Sequence, residues 1–62
     1  MPIIDVTIVG GTDEQQREKF MEEVTELAVK TFSVPENTVR CIIRDIPTTH
    51  FSVAGVPKNR AQ

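Results

Sequence analysis

The sequence has no tryptophan or tyrosine and only three phenylalanines, Phe20, Phe32 and Phe51. Its single cysteine, Cys41, excludes an internal disulfide, and no Cys/His cluster has the spacing of a metal site. With 62 residues, the chain is close to the smallest size at which one hydrophobic core stabilises a domain. We therefore predict a single domain spanning residues 1–62 that is stabilised by burial between subunits.

The sequence also lacks a strong positive charge and a long apolar run. Seven Lys and Arg residues against nine Asp and Glu residues give a formal net charge of −2, whereas nucleic-acid binders usually carry a basic stripe. No apolar run approaches the roughly 20 residues of a membrane span, and no basic N-terminal region precedes an apolar one as in a signal peptide. These absences predict a cytoplasmic protein that binds neither nucleic acid nor a membrane.

A β-branched stretch near the N-terminus predicts a first strand over residues 3–9. One face of this strand is purely apolar and is the predicted core face: Ile4, Val6 and Ile8. The other face is mixed: Ile3, Asp5, Thr7 and Val9. Gly10-Gly11 then indicates a flexible turn at the end of the strand.

The residues after this turn predict an amphipathic helix at about 13–32. Thr12 is the expected N-cap, and Gln15, three residues later, would complete a capping box. The predicted buried stripe consists of Phe20, Val24, Leu27, Ala28 and Thr31. The segment Ser33-Val34-Pro35 is expected to end the helix.

A second strand is predicted from Val39 to Ile46, and a short extra strand or hairpin over residues 51–54. A strand, a long helix and a second strand form a βαβ unit, in which the strands are parallel and the crossover is right-handed. One helix covers only one face of a two-stranded sheet. The predicted fold class is therefore α/β (α+β): a single β-α-β unit with a short C-terminal hairpin, which forms oligomers through its sheet.

Pro2 is the first candidate for chemistry because it directly follows Met1. If Met1 is removed, Pro2 carries an N-terminal secondary amine on a rigid strand, and ordinary α-amino groups already titrate at about 7.7–8.0. Burial and a nearby arginine would lower the pKa of this amine, as a general base requires. The alternative from the residue alone is a proline that opens a strand.

Arg40 and Arg44 lie four residues apart on one face of the second predicted strand. The guanidinium group matches a carboxylate in a bidentate manner, so both arginines are candidates for binding a substrate carboxylate. The alternative is a surface pair that acids such as Asp45 or Glu36 neutralise.

Four segments, in order along nearly the whole chain, carry a resemblance to a known family: Pro2-Ile3, GGTDEQ, VRCIIRDI with its Arg40, and HFSVAG at 50–55. Together, at this chain length, they make the sequence similar to the 4-oxalocrotonate tautomerase (2-hydroxymuconate tautomerase) family of the tautomerase superfamily.

The resemblance implies a role for three residues. Pro2 would be the catalytic base after loss of Met1, shuttling a proton from a dienol hydroxyl to a distant carbon. Arg40 would bind a carboxylate and the adjacent enol or keto oxygen. Phe51 would be the aromatic wall that keeps the pocket apolar and the amine desolvated.

The resemblance further implies an isomerase that needs no cofactor and no metal. It would interconvert the enol and keto forms of 2-hydroxy-2,4-dienoates or enolpyruvates, as in the catabolism of aromatic hydrocarbons. The resemblance also implies a hexamer built as a trimer of dimers, with sites assembled across subunits. The implied partners are therefore a small carboxylate substrate and further copies of the chain.

The sequence departs from the family pattern in the turn before the helix. An arginine in that turn would hold the far carboxylate of a dicarboxylate substrate, whereas here the turn reads Gly10-Gly11-Thr12. Either Arg44 or Arg60 replaces the missing arginine, or the substrate is a monocarboxylate.

Two other functions remain open from the sequence. A hydratase or dehalogenase of the same superfamily would add water to a haloacrylate, and it would need a carboxylate to activate that water. Asp45 is the nearest candidate, but it is predicted to face away from Arg40. The other alternative is a non-catalytic oligomeric binding module that retained the fold alone.

Overall fold

Two seven-residue strands and one nineteen-residue helix make up most of the computed structural model, which describes residues 1–59. The elements follow the chain as β1 (Ile3–Val9), α1 (Glu14–Phe32), β2 (Arg40–Ile46), β3 (Ser52–Val53) and β4 (Val56–Pro57). Short 3-10 turns at Glu36–Thr38 and Thr48–His50 precede β2 and β3. This order confirms the predicted β-α-β unit with a C-terminal hairpin.

The strands β1 and β2 pair in parallel, from Ile3 opposite Arg40 to Val9 opposite Ile46. The alternation predicted for β1 is confirmed, since Ile4, Val6 and Ile8 are half-buried whereas Ile3, Asp5 and Thr7 are exposed. In β2, Cys41 and Ile43 are half-buried, and Arg40, Ile42 and Arg44 are exposed. The helix thus covers one face of the sheet, and the opposite face is open.

The helix begins one residue later than predicted. Asp13, not Thr12, is the N-cap: its Oδ1 accepts from the Gln16 backbone N–H at 2.8 Å, and the Gln16 Oε1 accepts from the Asp13 backbone N–H at 3.1 Å. The capping box is therefore Asp13 with Gln16, and the prediction of Thr12 with Gln15 was wrong. The Thr12 hydroxyl is unavailable as a cap because it donates a hydrogen bond to Asp45 instead.

The predicted apolar stripe of α1 is only partly correct. Val24 is half-buried and Ala28 is 4% exposed, but Phe20 and Leu27 are 41% and 61% exposed, and Thr31 is exposed as well. The more buried positions of α1 instead lie along the side of the helix that carries Ala28: Arg17, Met21, Val24, Thr25, Ala28 and Val29. Phe20 and Leu27 thus belong to an apolar surface that the single chain leaves open.

The helix ends as predicted. Ser33 caps it in the left-handed conformation, with φ 55° and ψ 49°, and Pro35 follows two residues later. In the part of the chain that the structure describes, no helix combines the length and apolar character needed to cross a membrane.

Among residues 1–59, Ala28 is the only fully buried apolar residue, whereas nine large apolar side chains are exposed. Ile3 and Ile42, on the open face of the sheet, are 63% and 43% exposed. A shallow apolar groove also runs along the helix beside β1, lined by Ile4, Val24, Leu27, Ala28, Thr31 and Phe32. Contiguous apolar surface of this kind is typical of a subunit interface.

We expect Asp13→Ala to lower the free energy of unfolding by about 1 kcal/mol per chain, because it removes the side-chain acceptor for the Gln16 N–H. Denaturant unfolding at one fixed protein concentration measures this loss. Gln15→Ala is the matched control, since Gln15 is exposed and lies outside the observed box, and it should change the stability by less than about 0.5 kcal/mol. A larger loss for Gln15→Ala than for Asp13→Ala would contradict the assignment of the cap.

Candidate active site

Parallel pairing places Pro2 and Arg40 at the same end of the sheet. Pro2 directly precedes β1 and is half-buried, and its carbonyl oxygen accepts a hydrogen bond of 2.9 Å from the Arg40 backbone N–H. Two of the residues predicted for the site are therefore neighbours within one chain. This bond joins the two backbones; a guanidinium that also approached the Pro2 nitrogen would lower the pKa of an N-terminal amine formed there.

The guanidinium of Arg40 is held by backbone oxygens. Its Nη1 donates to the carbonyl of Asn37 at 2.7 Å and, more weakly, to that of Val39 at 3.4 Å. No carboxylate within residues 1–59 forms an ion pair with it. Its remaining N–H groups can thus bind an external carboxylate.

Arg44 lies on the same open face of the sheet as Arg40, but a carboxylate already holds it. Its Nε donates to Asp5 Oδ1 at 3.1 Å and its Nη2 to Asp5 Oδ2 at 2.8 Å, which is a bidentate pair. The hydrogen bonds from Arg44 lower the pKa of the Asp5 carboxyl below its ordinary value. The predicted role of Arg44 in binding a far carboxylate stays a prediction, and it would require Asp5 to release the guanidinium.

Phe51 follows β2 and lies beyond the opposite end of the sheet. It comes directly after the 3-10 turn at Thr48–His50, is 40% exposed, and accepts from the Lys58 backbone N–H at 2.8 Å where the hairpin closes. A regular seven-residue strand separates the two ends of the sheet by about 20 Å. One chain therefore does not bring Phe51 to Pro2, and a site containing both needs a second subunit.

A polar cluster at the Phe51 end of the sheet was not predicted from the sequence. Thr12 Oγ1 donates to Asp45 Oδ2, and Arg17 Nη1 lies 3.3 Å from the same carboxylate oxygen. Arg17 Nη1 also donates to the Thr12 carbonyl and hydroxyl oxygens, at 3.0 Å each. Asp45 lies on the same strand face as Cys41 and Ile43. This alternation along β2 was the only feature of the sequence that indicated Asp45 on the side of the sheet that the helix covers.

The two glycines of the turn before the helix disfavour a side chain because of their backbone conformation, although a Cβ on Gly11 would meet no heavy atom within 4 Å. Gly10 and Gly11 adopt positive φ angles of 68° and 85°, which other residues rarely adopt. A Cβ on Gly10 would also lie 3.0 Å from the Cγ2 of Thr48. Thr12 is therefore the position of this turn that is suited to a side chain, and that side chain points to Asp45. The prediction that Arg60 replaces the missing arginine concerns a residue outside those described.

No group of three or more His, Cys, Asp or Glu side chains within residues 1–59 is placed to hold a metal ion. Asp45, the carboxylate considered for activating water, lies against Thr12 and Arg17 and not beside Arg40. The geometry thus offers one candidate pair for chemistry, Pro2 with Arg40, and one polar cluster at the other end of the sheet.

Comparison with known proteins supplies an independent line of evidence. The family model described as "Tautomerase enzyme" matches residues 2–61. A probable tautomerase of Ralstonia nicotianae is 39% identical over 62 residues, which are 100% of this chain and 89% of the relative. A 2-hydroxymuconate tautomerase of Pseudomonas putida is 33% identical over 60 residues, which are 97% of this chain and 95% of the relative.

Solved structures agree in fold. A heterohexamer 4-oxalocrotonate tautomerase from Chloroflexus aurantiacus has a TM-score of 0.85 at 27% identity, with 100% of both chains covered. One of the 4-oxalocrotonate tautomerase isozymes from Methylibium petroleiphilum has a TM-score of 0.81 at 33% identity, covering 94% of this chain and 91% of that one.

We expect Arg44→Gln to raise the pKa of Asp5 towards the ordinary aspartate value of about 3.9, because the variant removes the charged hydrogen-bond donors. In the native protein, the stabilisation from this pair is complete when the pH is above that ordinary pKa. It is lost as the pH falls through the lowered pKa. An NMR titration of the Asp5 carboxyl carbon measures the shift. Lys30→Gln removes a cation that does not contact Asp5 and should leave the titration unchanged. An Asp5 pKa that Arg44→Gln does not move would show that the pair is not formed.

Proposed function

The chain belongs to the tautomerase family and is 4-oxalocrotonate tautomerase-like, and on this basis we propose that Pro2 and Arg40 perform a cofactor-independent enol–keto tautomerisation. The proposed substrates are 2-hydroxy-2,4-dienoates or enolpyruvate-type carboxylates. The observation that carries the proposal is the backbone hydrogen bond that makes Arg40 a neighbour of Pro2, together with an Arg40 guanidinium that pairs with no carboxylate among residues 1–59.

Pro2 is the proposed general base once Met1 has been removed. Met1 is 78% exposed, so its loss removes little packing. The freed secondary amine, unprotonated at working pH, takes the proton of the substrate's 2-hydroxyl group. The oxygen electron pair then forms the keto C=O bond, the double bonds shift along the chain, and the terminal carbon of the dienol recovers the proton from the Pro2 ammonium. The reaction thus consumes no co-reactant.

Arg40 is the proposed carboxylate-binding residue. Its forked N–H groups suit the C1 carboxylate together with the adjacent 2-oxygen, whose negative charge increases as Pro2 removes the proton. The same positive charge favours the neutral form of the nearby amine. Arg40 therefore serves both substrate orientation and the state of the base.

Phe51 is the proposed apolar wall of the site, supplied by a neighbouring subunit. Within one chain it lies beyond the end of the sheet opposite to Pro2. An aromatic side chain beside the amine would exclude water and so keep the pKa of the amine low. This arrangement makes the active site a property of the assembly.

The proposed assembly is a hexamer, a trimer of dimers. The chain leaves the open sheet face and the groove along α1 uncovered, and these two surfaces lie on opposite sides of the sheet. Two different apolar surfaces support two kinds of subunit contact, as a trimer of dimers requires. The heterohexamer 4-oxalocrotonate tautomerase of Chloroflexus aurantiacus, which shares the fold, supports a six-chain arrangement.

Pro2→Ala should lower kcat/KM for 2-hydroxymuconate or phenylenolpyruvate by roughly tenfold or more, because it replaces the rigid secondary amine of the proposed base with a primary α-amine that no ring holds in place. Absorbance of the enol and keto forms follows the reaction. Pro35→Ala, in the loop after α1, is the matched control and should retain activity. Intact mass spectrometry shows whether Met1 is absent, and protein that keeps Met1 should be inactive because its Pro2 nitrogen is an amide. Full activity in Pro2→Ala or in Met1-retaining protein would refute the role of Pro2.

The native protein should sediment as a hexamer, six times 6.9 kDa or about 41 kDa. Leu27→Lys places a charge in the groove along α1 and should reduce the sedimenting mass at micromolar concentration. Glu26→Lys changes an exposed neighbour outside the residues that line the groove and should sediment as the native protein does. A stable folded monomer near 7 kDa in the native protein would overturn the proposed assembly.

A further inference from the structure

We infer that Asp45 is a specificity-determining residue that acts through Arg17 and makes the site prefer enol acids with one carboxylate over dicarboxylates. The inference rests on the proposed function and concerns the polar cluster of Thr12, Arg17 and Asp45, which the proposed chemistry does not use. In this cluster a carboxylate, Asp45, offsets the charge of Arg17, a cation that lies at the Phe51 end of the sheet.

The hydrogen bonds of the cluster are internal. Asp45 Oδ2 accepts from the Thr12 hydroxyl and lies 3.3 Å from Arg17 Nη1. The Thr12 hydroxyl in turn accepts from Arg17 Nη1 at 3.0 Å, so it is engaged both as donor and as acceptor. The side chains of Arg17 and Asp45 are only 33% and 28% exposed, and water screens their attraction less than that of a fully exposed pair. The cluster therefore presents no free cation.

The position of the cluster connects it to the substrate. Asp45 pairs with Ile8 near the end of the sheet from which the chain continues to Phe51, and Thr48, between them, lies beside Gly10. If a neighbouring subunit supplies Phe51 to the site that contains Pro2 and Arg40, the same end of that subunit brings its cluster towards the site. The part of the substrate that lies farthest from Arg40 then meets the cluster.

The other arginines do not supply a second free cation within residues 1–59. Arg44 is held bidentately by Asp5, and only Arg40 forms no pair with a carboxylate. A second substrate carboxylate near the cluster would find Arg17 already paired with Asp45, so the cluster itself offers no uncompensated cation to bind it. A substrate with an uncharged far end needs no such cation.

The test compares two dienols that differ only in the far carboxylate, 2-hydroxymuconate and 2-hydroxy-2,4-pentadienoate. We expect the native enzyme to have a kcat/KM for the monocarboxylate equal to or above that for the dicarboxylate. Asp45→Asn keeps an acceptor for Thr12 but releases the charge of Arg17. This variant should raise the ratio of dicarboxylate to monocarboxylate kcat/KM by roughly tenfold or more, mainly through a lower KM for the dicarboxylate.

Glu26→Gln is the matched control, because it also removes one negative charge, at an exposed position of α1 that forms no ion pair within residues 1–59. It should change the ratio by less than about threefold, well below the effect of a charged hydrogen bond. The double variant Asp45→Asn with Arg17→Gln removes the released cation and should return the ratio to the native value. Thermal unfolding of each variant shows that the folded assembly is retained.

Three results would overturn the inference. The first is a native preference of tenfold or more for the dicarboxylate. If Arg60→Ala then abolishes this preference, Arg60 is the residue that binds the far carboxylate. The second is an unchanged ratio in Asp45→Asn, and the third is an equal change in Glu26→Gln. If the native enzyme converts either dienol, the proposed function stands whichever of these results is found. If native protein that has lost Met1 converts neither dienol, the proposed function and the inference are both refuted.

Discussion

The parallel pairing of β1 with β2 is the constraint on which the rest of the structure depends. Because the two strands run in the same direction, Pro2 and Arg40 meet at one end of the sheet, and the chain leaves β2 towards Phe51 at the other. The crossover that parallel strands require is the single helix α1, which covers only one sheet face. The fold therefore separates Phe51 from Pro2 and Arg40 within a chain and leaves apolar surface uncovered.

Electrostatics gives the three described arginines different roles, although all belong to one small domain. Asp5 holds Arg44 on the open sheet face, and Asp45 holds Arg17 beside the helix N-terminus. Arg40 is bound only by backbone carbonyls in this chain and keeps its charge available. The availability of a guanidinium for a ligand thus depends on its neighbouring carboxylates and not on the arginine itself.

The start of the helix and the end of the sheet are linked by one residue. Thr12 could serve as an N-cap, but its hydroxyl donates to Asp45, and Asp13 therefore caps the helix. This choice shifts the helix start by one residue and brings Arg17, one turn into α1, to the carboxylate. Capping the helix and hydrogen bonding to Asp45 are thus alternative uses of the Thr12 hydroxyl. Thr12 makes the bond to Asp45, and Asp13 caps the helix.

The sequence alone determined the order and type of the elements, because the alternation in β1, the helical periodicity and the Ser33-Val34-Pro35 stop are local patterns. It also determined the β-α-β topology and the open sheet face, since a chain of this size with one helix cannot cover both faces of the sheet. Only the tertiary structure decided the helix cap, the exposure of Leu27, and the pairing of Arg44 with Asp5 and of Arg17 with Asp45. These features join residues distant in the sequence, and their geometry depends on register and helix rotation, which local periodicity does not fix.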